Sequence, residues 1–236
     1  DTGSIRRSEI NESSSRRAVF AVCDGIGGGL FGEEASLSVA KNIGDKFHRQ
    51  EMPVNAFVRE ANEEICRIRE EKRCSSMGTT MVLLEITGSM ANVYNVGDSR
   101  AYLYRDGKLK QLTEDHTEAQ QLLDMGLLTE EQAKTSKKGH VLTQYMGVPP
   151  EEFAVAPYSN RDIKLNHNDV FLLCSDGLTD MLDEGDIDVL VGSREKPGEI
   201  AEELVDEALK RGGRDNVTVM IIKCEMRNFV KRLFNK

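Results

Sequence analysis

The chain has 236 residues, with 31 Lys and Arg against 40 Asp and Glu and a formal net charge of −9. This acidic balance argues against a broad nucleic-acid surface, because affinity for phosphate backbones comes from clustered basic side chains. The longest wholly apolar run, Ala18 to Cys23, is far shorter than the roughly 20 residues that span a bilayer, so we expect no membrane insertion. A chain of this length can bury a sizeable core, and we expect one domain over residues 1–236.

Cysteine usage indicates the compartment. The cysteines form neither a disulfide framework nor the C-x-x-C pairs of zinc and thioredoxin sites. We therefore expect free structural thiols and a reducing cytoplasm. Because the chain starts at Asp1 without a methionine, we also expect an excised domain. The cysteines are Cys23, Cys66, Cys74, Cys174 and Cys224.

Apolar, β-branched runs predict six strands, and amphipathic spacing predicts three long helices. In chain order, we expect strands at Ala18–Cys23, Thr80–Ile86, Met90–Val96, Ala101–Arg105, Asp169–Cys174 and Val217–Cys224. The helices are expected at Gly32–Gln50, Asn55–Lys72 and Pro197–Arg211. Short links between strands favour antiparallel pairing, since a parallel crossover needs about a dozen or more residues. The pattern therefore predicts an α+β fold of two antiparallel sheets with helices packed outside.

Two local motifs refine this prediction. Asp106-Gly107, between two short strand-like runs, is typical of a type I′ hairpin turn. Residues 117–158 have a different character, with a capping box at Thr129 to Gln132 and loop residues around Ser136 and Pro149. We expect this stretch to form a helical lobe inserted in the main fold.

Aspartates stand where predicted strands begin or end. Asp24 follows Ala18–Cys23, Asp176 follows Val170–Ser175, and Asp215 precedes Val217–Ile222. If the third strand is antiparallel to the first two, the three carboxylates meet at one edge of the sheet. Such carboxylates raise one another's pKa values unless a cation lies between them, and an all-oxygen ligand set favours Mg²⁺ or Mn²⁺.

Each Asp-Gly pair also has a simpler interpretation as a turn, and the glycines after Asp24 can serve only to allow positive φ. Three such cases in compatible directions favour the metal interpretation over three coincident turns. The glycine run lacks the G-x-x-x-x-G-K-[ST] pattern, so a nucleotide-binding P-loop is not supported.

Seven segments in order resemble the bacterial form of the metal-dependent serine/threonine protein phosphatases, the type 2C or PPM family. They span nearly the whole chain: Ala21–Gly28, Met77–Thr80, Asn95–Arg100, Leu112–Thr117, Leu142–Gly147, Cys174–Leu178 and Gly213–Thr218. The resemblance implies a sandwich of two antiparallel β-sheets flanked by helices. It also implies a flap near the metals, which falls on the inserted lobe, and we call residues 117–158 the flap.

The resemblance further implies the ligands of two Mn²⁺ or Mg²⁺ ions. Asp24 is expected to bridge both ions, the Gly25 carbonyl to bind the second, and Asp176 and Asp215 to hold the first. Asp115 is expected to bind a third, weaker metal shared with Asp176. Supporting positions are expected at Ser99, Arg100, Asp180 and Asn216.

The implied reaction is hydrolysis of phosphoserine or phosphothreonine in proteins by a metal-activated bridging hydroxide. The expected partners are phosphorylated proteins and, plausibly for a bacterial enzyme of this kind, a Ser/Thr kinase and its targets. Two alternatives stay open. One is a catalytically impaired pseudophosphatase that binds phosphoproteins, and the other is a hydrolase of small phosphate esters.

The first strand of the family pattern is altered in this chain. Arg6 is the expected phosphate-gripping residue, and Arg7 is its alternative. The family's usual acid after Asn11-Glu12 is replaced by Ser13. His116 admits two interpretations, a catalytic acid or a loop histidine.

Overall fold

The computed structural model describes residues 17–27, 29–48, 52–74 and 76–225. Arg6, with the rest of the altered first segment, lies outside the described residues. Within the described part the chain forms ten strands and seven α-helices. The strands are β1 (Arg17–Val22), β2 (Gly25–Ile26), β3 (Gly78–Thr79), β4 (Met81–Thr87), β5 (Met90–Val96), β6 (Arg100–Arg105), β7 (Lys108–Gln111), β8 (Tyr158–Lys164), β9 (Val170–Cys174) and β10 (Val219–Lys223).

Helices cover both outer faces of the molecule. They are α1 (Gly29–Asn42), α2 (Val54–Lys72), α3 (Glu118–Asp124), α4 (Glu130–Lys134), α5 (Asp176–Thr179), α6 (Glu184–Ser193) and α7 (Pro197–Lys210). A π-helical segment, Ile43–His48, continues α1, and a 3₁₀ turn forms at Lys137–His140. No helix in the described ranges is both long and apolar enough to cross a bilayer.

Two antiparallel sheets form the centre of the fold, and this confirms the α+β prediction. One sheet has the order β1-β4-β5-β8 and the other β10-β9-β6-β7, while β2 and β3 make a separate small pair. Helices α1 and α2 pack on the first sheet, and α5, α6 and α7 pack on the second. The result is four layers, helix, sheet, sheet and helix.

The alternation of side chains along β4 explains how one strand serves two cores. Met81 and Leu83 face α1 and α2, whereas Val82 and Leu84 face the second sheet. All four are fully buried. Because successive side chains of a strand point to opposite faces, an unbroken apolar run is what a strand between two layers requires.

Most predicted elements are confirmed with small shifts at their ends. The hairpin at Asp106 and Gly107 has φ values of 52° and 78°, and a positive φ at both central residues is the type I′ signature. Strand β8 and helix α6 were not predicted. Strand β8 is an edge strand of mostly polar residues, and its pairing with β5 shifts register between Ala91 and Val93.

The flap follows β7 and precedes β8, as expected for an insertion. It contains α3, α4 and the 3₁₀ turn, each with a side-chain cap at its start, from Thr117, Thr129 and Ser136. The capping box predicted at Thr129 is present with both of its hydrogen bonds. Helix α4 and the 3₁₀ turn bury none of their own side chains.

Candidate active site

Strand direction brings the predicted metal ligands to one end of the sandwich. Asp24 follows β1, and Asp176 follows β9. Strand β10 pairs antiparallel with β9, with Val219 opposite Cys174, so Asp215 returns to the same end. The antiparallel arrangement is thus confirmed. One detail differs from the sequence prediction, because Asp24 comes from the first sheet and the other two from the second, so they meet across the sandwich rather than along one sheet edge.

The Asp24 and Asp176 carboxyl groups are in direct contact. Burial, the charge of Asp176 with a hydrogen bond to it, and the charge of Asp215 raise the pKa of Asp24 to about 7. Burial and the neighbouring carboxylates thus disfavour the charged form of Asp24. The cluster is therefore electrostatically unfavourable at neutral pH.

The backbone of Asp24 is held by the adjoining strands. Its N–H donates to Thr80 Oγ1 at 3.1 Å, and its carbonyl oxygen accepts from the Thr80 N–H at 2.8 Å and from Thr79 Oγ1 at 2.8 Å. Gly25 pairs with Thr79 in the small sheet, and a Cβ on Gly25 would collide with the Gly32 backbone of α1. A glycine is required here because the loop and α1 approach too closely for any side chain.

Asp215 lies beside the Asp24–Asp176 pair but is more open. It is exposed, and one of its carboxylate oxygens accepts from the Asn216 N–H at 2.7 Å. Ser175 fixes this loop to β9, since its Oγ donates to the Asn216 carbonyl at 3.2 Å and accepts from the Thr218 N–H at 3.0 Å. These contacts involve only the backbone of Asn216, and the supporting role expected of its side chain stays a prediction.

A fourth carboxylate, Asp98, belongs to the cluster and was missed as a site residue. It is 9% exposed in the turn after β5. Burial, Asp176, Asp115 and Asp24 raise the pKa of Asp98 to about 7. The signal was present in the sequence, because Asp98 follows a predicted strand just as Asp24 and Asp176 do, within one of the seven family-like segments.

Asp115 is engaged by Arg100. The guanidinium Nη2 donates to one carboxylate oxygen at 2.7 Å, and Nε lies 3.0 Å from both oxygens. The Asp115 side chain is 10% exposed, so its charge is balanced by Arg100 within a nearly buried pair. The supporting role expected of Arg100 thus has a geometric basis. The third-metal role of Asp115 stays a prediction, and Asp98 is a second carboxylate close enough to Asp176 to interact with it.

The residue types present fit a hard divalent cation, although their side chains are not close enough together to hold one as they stand. Asp176 Oδ1 is buried, and no hydrogen-bond donor in the described residues reaches it. The surrounding donors are carboxylate and carbonyl oxygens, the ligands that Mg²⁺ and Mn²⁺ prefer. In residues 17–27, 29–48, 52–74 and 76–225, no three His, Cys, Asp or Glu side chains are arranged closely enough to hold a metal ion as they stand.

Two histidines near the site have different surroundings. His116 Nδ1 accepts a hydrogen bond from the Gly97 N–H at 3.2 Å, and burial lowers the pKa of this imidazole despite the nearby Asp115. These contacts support the loop interpretation of His116 over the acid. His140, in the flap, lies with its Nδ1 3.6 Å from Asp180 Oδ2. Burial first, and then the charge of Asp176, raises the pKa of Asp180.

Cysteine chemistry is absent from the described site. Burial raises the pKa of the Cys23 and Cys174 thiols to about 12, so neither is a thiolate at neutral pH. All five cysteines are free thiols. Ser99, an expected support, shares a hydrogen bond of 2.7 Å with Thr80 Oγ1 and thereby links the Asp98 turn to the residues that hold Asp24.

Comparison with known proteins extends over nearly the whole chain. The family model described as Stage II sporulation protein E (SpoIIE) matches residues 14–225. A serine/threonine phosphatase, stp, of Listeria innocua is 30% identical over 241 residues, which cover 94% of this chain and 93% of that protein.

Solved structures agree with the sequence comparison. The serine/threonine phosphatase Stp1 from Staphylococcus aureus superposes with a TM-score of 0.80 at 27% identity and covers 91% of each chain. The catalytic domain of the serine/threonine protein phosphatase PstP, solved with two manganese ions, superposes with a TM-score of 0.71 at 30% identity over 90% of this chain and 92% of that one. Since the sequence match and the shared fold both extend from the first described strand to the last, the chain belongs to the PPM, or type 2C, family of metal-dependent serine/threonine protein phosphatases.

Proposed function

We propose that this chain hydrolyses phosphoserine and phosphothreonine in proteins at a centre of two Mn²⁺ or Mg²⁺ ions. The observation that carries the proposal is the approach of the Asp24 and Asp176 carboxyl groups, with Asp215 close enough to help raise the pKa of Asp24 and with Asp176 and Asp24 close enough to help raise the pKa of Asp98. Folding gathers negative charge at one end of the sandwich against its own repulsion. A divalent cation is the partner that turns this arrangement into a favourable one.

Each ligand has a defined task in this proposal. Asp24 bridges the two ions, the Gly25 carbonyl contacts the second, and Asp176 and Asp215 hold the first. We assign the third, weaker cation to Asp98 with Asp176, because Asp115 is already paired with Arg100. The manganese ions in the PstP catalytic domain support a dinuclear site in a relative of the same fold.

When bound, the ions supply a water of lowered pKa and neutralise charge on the phosphoryl oxygens. The chain's own residues orient the ligands. Thr79 and Thr80 hold the Asp24 backbone, and Ser175 holds the loop that carries Asp215. Because the pKa of Asp24 is raised, this carboxyl group would give up a proton on binding a cation. Arg6 is proposed to grip the substrate phosphate.

We further propose that residues 1–236 act as one catalytic domain whose flap borders the site. The substrates in this proposal are phosphorylated proteins, among them the targets of a Ser/Thr kinase and the kinase itself. The names of the relatives, serine/threonine phosphatases from several bacteria, support this substrate class.

The test measures phosphate release from a phosphothreonine peptide with Mn²⁺, with Mg²⁺ and with a chelator. We expect metal-dependent turnover that falls at least about 10³-fold in Asp24→Ala, since removing a residue that binds the reacting centre costs several powers of ten. Asp106→Asn is the matched control, because Asp106 lies in the exposed β6–β7 turn and Asn tolerates its positive φ. No turnover with either metal would contradict the proposal.

Two further comparisons separate the alternatives. Metal binding by calorimetry without hydrolysis would identify a pseudophosphatase that binds phosphoproteins. Faster turnover of sugar or nucleotide phosphates than of the peptide would identify a small-ester hydrolase. For the phosphate grip, Arg6→Ala is expected to raise KM for the peptide more than Arg7→Ala does.

A further inference from the structure

The helical part of the flap, residues 118–141, leaves and rejoins the sandwich through a narrow stem. The chain departs at Thr117 and returns at Leu142, and these two residues form an antiparallel bridge. The Glu118 N–H donates to the Val141 carbonyl at 2.9 Å, and the Thr143 N–H donates to the His116 carbonyl at 2.8 Å. Thr117 is only 2% exposed, so this side of the stem is buried, whereas Val141 on the other side is 44% exposed.

His116 attaches this stem to the turn between β5 and β6. The His116 N–H donates to the Gly97 carbonyl at 2.9 Å, and the Gly97 N–H donates to His116 Nδ1 at 3.2 Å. His116 therefore binds both polar backbone groups of Gly97, while Asn95 Nδ2 also donates to the Gly97 carbonyl at 3.1 Å and to the Glu114 carbonyl at 3.0 Å. Because Nδ1 is the acceptor, the neutral ring carries its proton on Nε2.

The turn held in this way belongs to the carboxylate cluster. Gly97 has a φ of 103°, and a Cβ there would collide with the Thr80 side chain, so the turn has little freedom to relax. The next residue is Asp98, which faces Asp176 and Asp24. Ser99 then binds Thr80, whose hydroxyl in turn accepts from the Asp24 N–H.

We propose that His116 is a positioning residue that locks the flap stem to the turn carrying Asp98. This contact fixes the position of the flap relative to Asp98. Substrate binding along the flap and cation binding at Asp98 therefore strengthen each other. This inference rests on the proposed phosphatase function for its substrate, but the hydrogen-bond lock itself exists in the metal-free chain.

The first test follows amide hydrogen exchange in the metal-free protein. In His116→Ala, peptides that contain Gly97 and Thr143 are expected to exchange roughly tenfold faster, because the buried bond that closes the lock is lost. In His116→Asn, Oδ1 occupies the place of Nδ1, and exchange is expected within about twofold of the unchanged protein. His116→Gln moves the acceptor by one bond and is expected to resemble the alanine variant.

The second test measures activity with the phosphothreonine peptide. In His116→Ala, KM for the peptide and the Mn²⁺ concentration for half-maximal activity are expected to rise together, each about tenfold, while His116→Asn restores both. The inference is overturned if the alanine variant folds and changes neither quantity, if only KM rises, or if the asparagine variant behaves like the alanine variant. Should the alanine variant fail to fold, the glutamine and asparagine variants decide the same question.

The two tests distinguish the lock from the function. If the unchanged protein shows no turnover, the phosphatase proposal fails, and the exchange measurement still shows whether His116 fixes the stem. If turnover is present and exchange at Gly97 is unaffected by every substitution, the lock is absent and the phosphatase proposal stands.

Discussion

The sandwich and the flap are held together by different forces. Every residue of β9 is buried between layers of apolar side chains. The tip of the flap, by contrast, buries no side chain in α4 or in its 3₁₀ turn, and it contacts the rest of the protein through polar side chains, with Lys134 3.7 Å from Glu184 and His140 3.6 Å from Asp180. Exposed charged pairs contribute only about 0–1 kcal/mol. The clustered carboxylates thus stand at the end of a tightly packed sandwich, while the flap tip is held by weak surface contacts.

A matched pair of leucine substitutions sharpens this comparison most strongly. Leu173→Ala, in the core between the sheets, is expected to lower the free energy of unfolding by about 2–5 kcal/mol, because it removes fully buried methyl groups and leaves a cavity. Leu127→Ala, in the flap at 65% exposure, is expected to change it by less than about 0.5 kcal/mol. Urea denaturation measures both, and equal effects would show that the flap is part of the cooperative core.

The carboxylate cluster is expected to make the stability of the metal-free protein depend on pH. Since the pKa of Asp24 is raised to about 7 in the folded chain, from an ordinary value near 4, the folded state binds the proton more tightly than the unfolded state does. This contribution is fully present below about pH 4 and is lost as pH rises through about 7.

Thermal unfolding in a chelator measures that loss against Asp24→Asn, which lacks the titrating group. From pH 4 to pH 7 the melting temperature of the unchanged protein is expected to fall by several degrees relative to that of the variant. This size follows because about 1 kcal/mol of stability corresponds to roughly 2–4 °C in a domain of this size. Mn²⁺ is expected to restore the melting temperature of the unchanged protein but not to change that of Asp24→Asn. Parallel pH curves for the two proteins would show that Asp24 is not under electrostatic strain.

Asp98 and Asp115 are expected to respond in opposite directions to the same substitution. Asp115→Asn weakens the pairing with Arg100 and is expected to cost about 1–3 kcal/mol of stability. Asp98→Asn removes a charge that faces other carboxylates and is expected to stabilise the metal-free protein while raising the Mn²⁺ requirement for activity. Chemical denaturation and metal titration of both variants check this, and a raised Mn²⁺ requirement in Asp115→Asn alone would favour the original assignment of the third metal to Asp115.

The flap-tip pair gives the smallest expected effect. His140→Gln and Asp180→Asn are each expected to leave the unfolding free energy within about 0.5 kcal/mol and to raise KM for a phosphopeptide by roughly twofold to threefold, because one polar surface contact is weakened. A double-mutant cycle on KM measures their coupling. Full additivity of the two changes would mean that the contact does not hold the flap tip.

The sequence predicts the sandwich better than the surface contacts of the flap. Strands that lie between two apolar layers are recognisable as unbroken apolar runs, and Asp24 and Asp176 were predicted as site residues because each follows such a run. Strand β8 was not predicted, because it is a polar edge strand that depends on β5 for its pairing. The pairing of Arg100 with Asp115 and the contact of His140 with Asp180 join positions that are distant in the chain, and no local pattern encodes either.

Asp98 is a different kind of omission. Its position after a predicted strand carried the same signal as that of Asp24, and it lay in a segment already recognised as family-like. The three-dimensional arrangement was needed to show that Asp98 faces Asp176, while Asp115 turns to Arg100. Asp98 thus joins the strand-end aspartates of the cluster, and the metal-binding role of Asp115 stays a prediction.

Calorimetric titration of the metal-free protein with Mn²⁺ at neutral pH tests the central claim most directly. The proposed site predicts two ions bound per chain, with release of protons because the pKa of Asp24 is raised in the metal-free protein. This binding is expected to be lost in Asp24→Asn but not in Asp106→Asn. Absence of Mn²⁺ binding, or binding that Asp24→Asn leaves unchanged, would contradict the account.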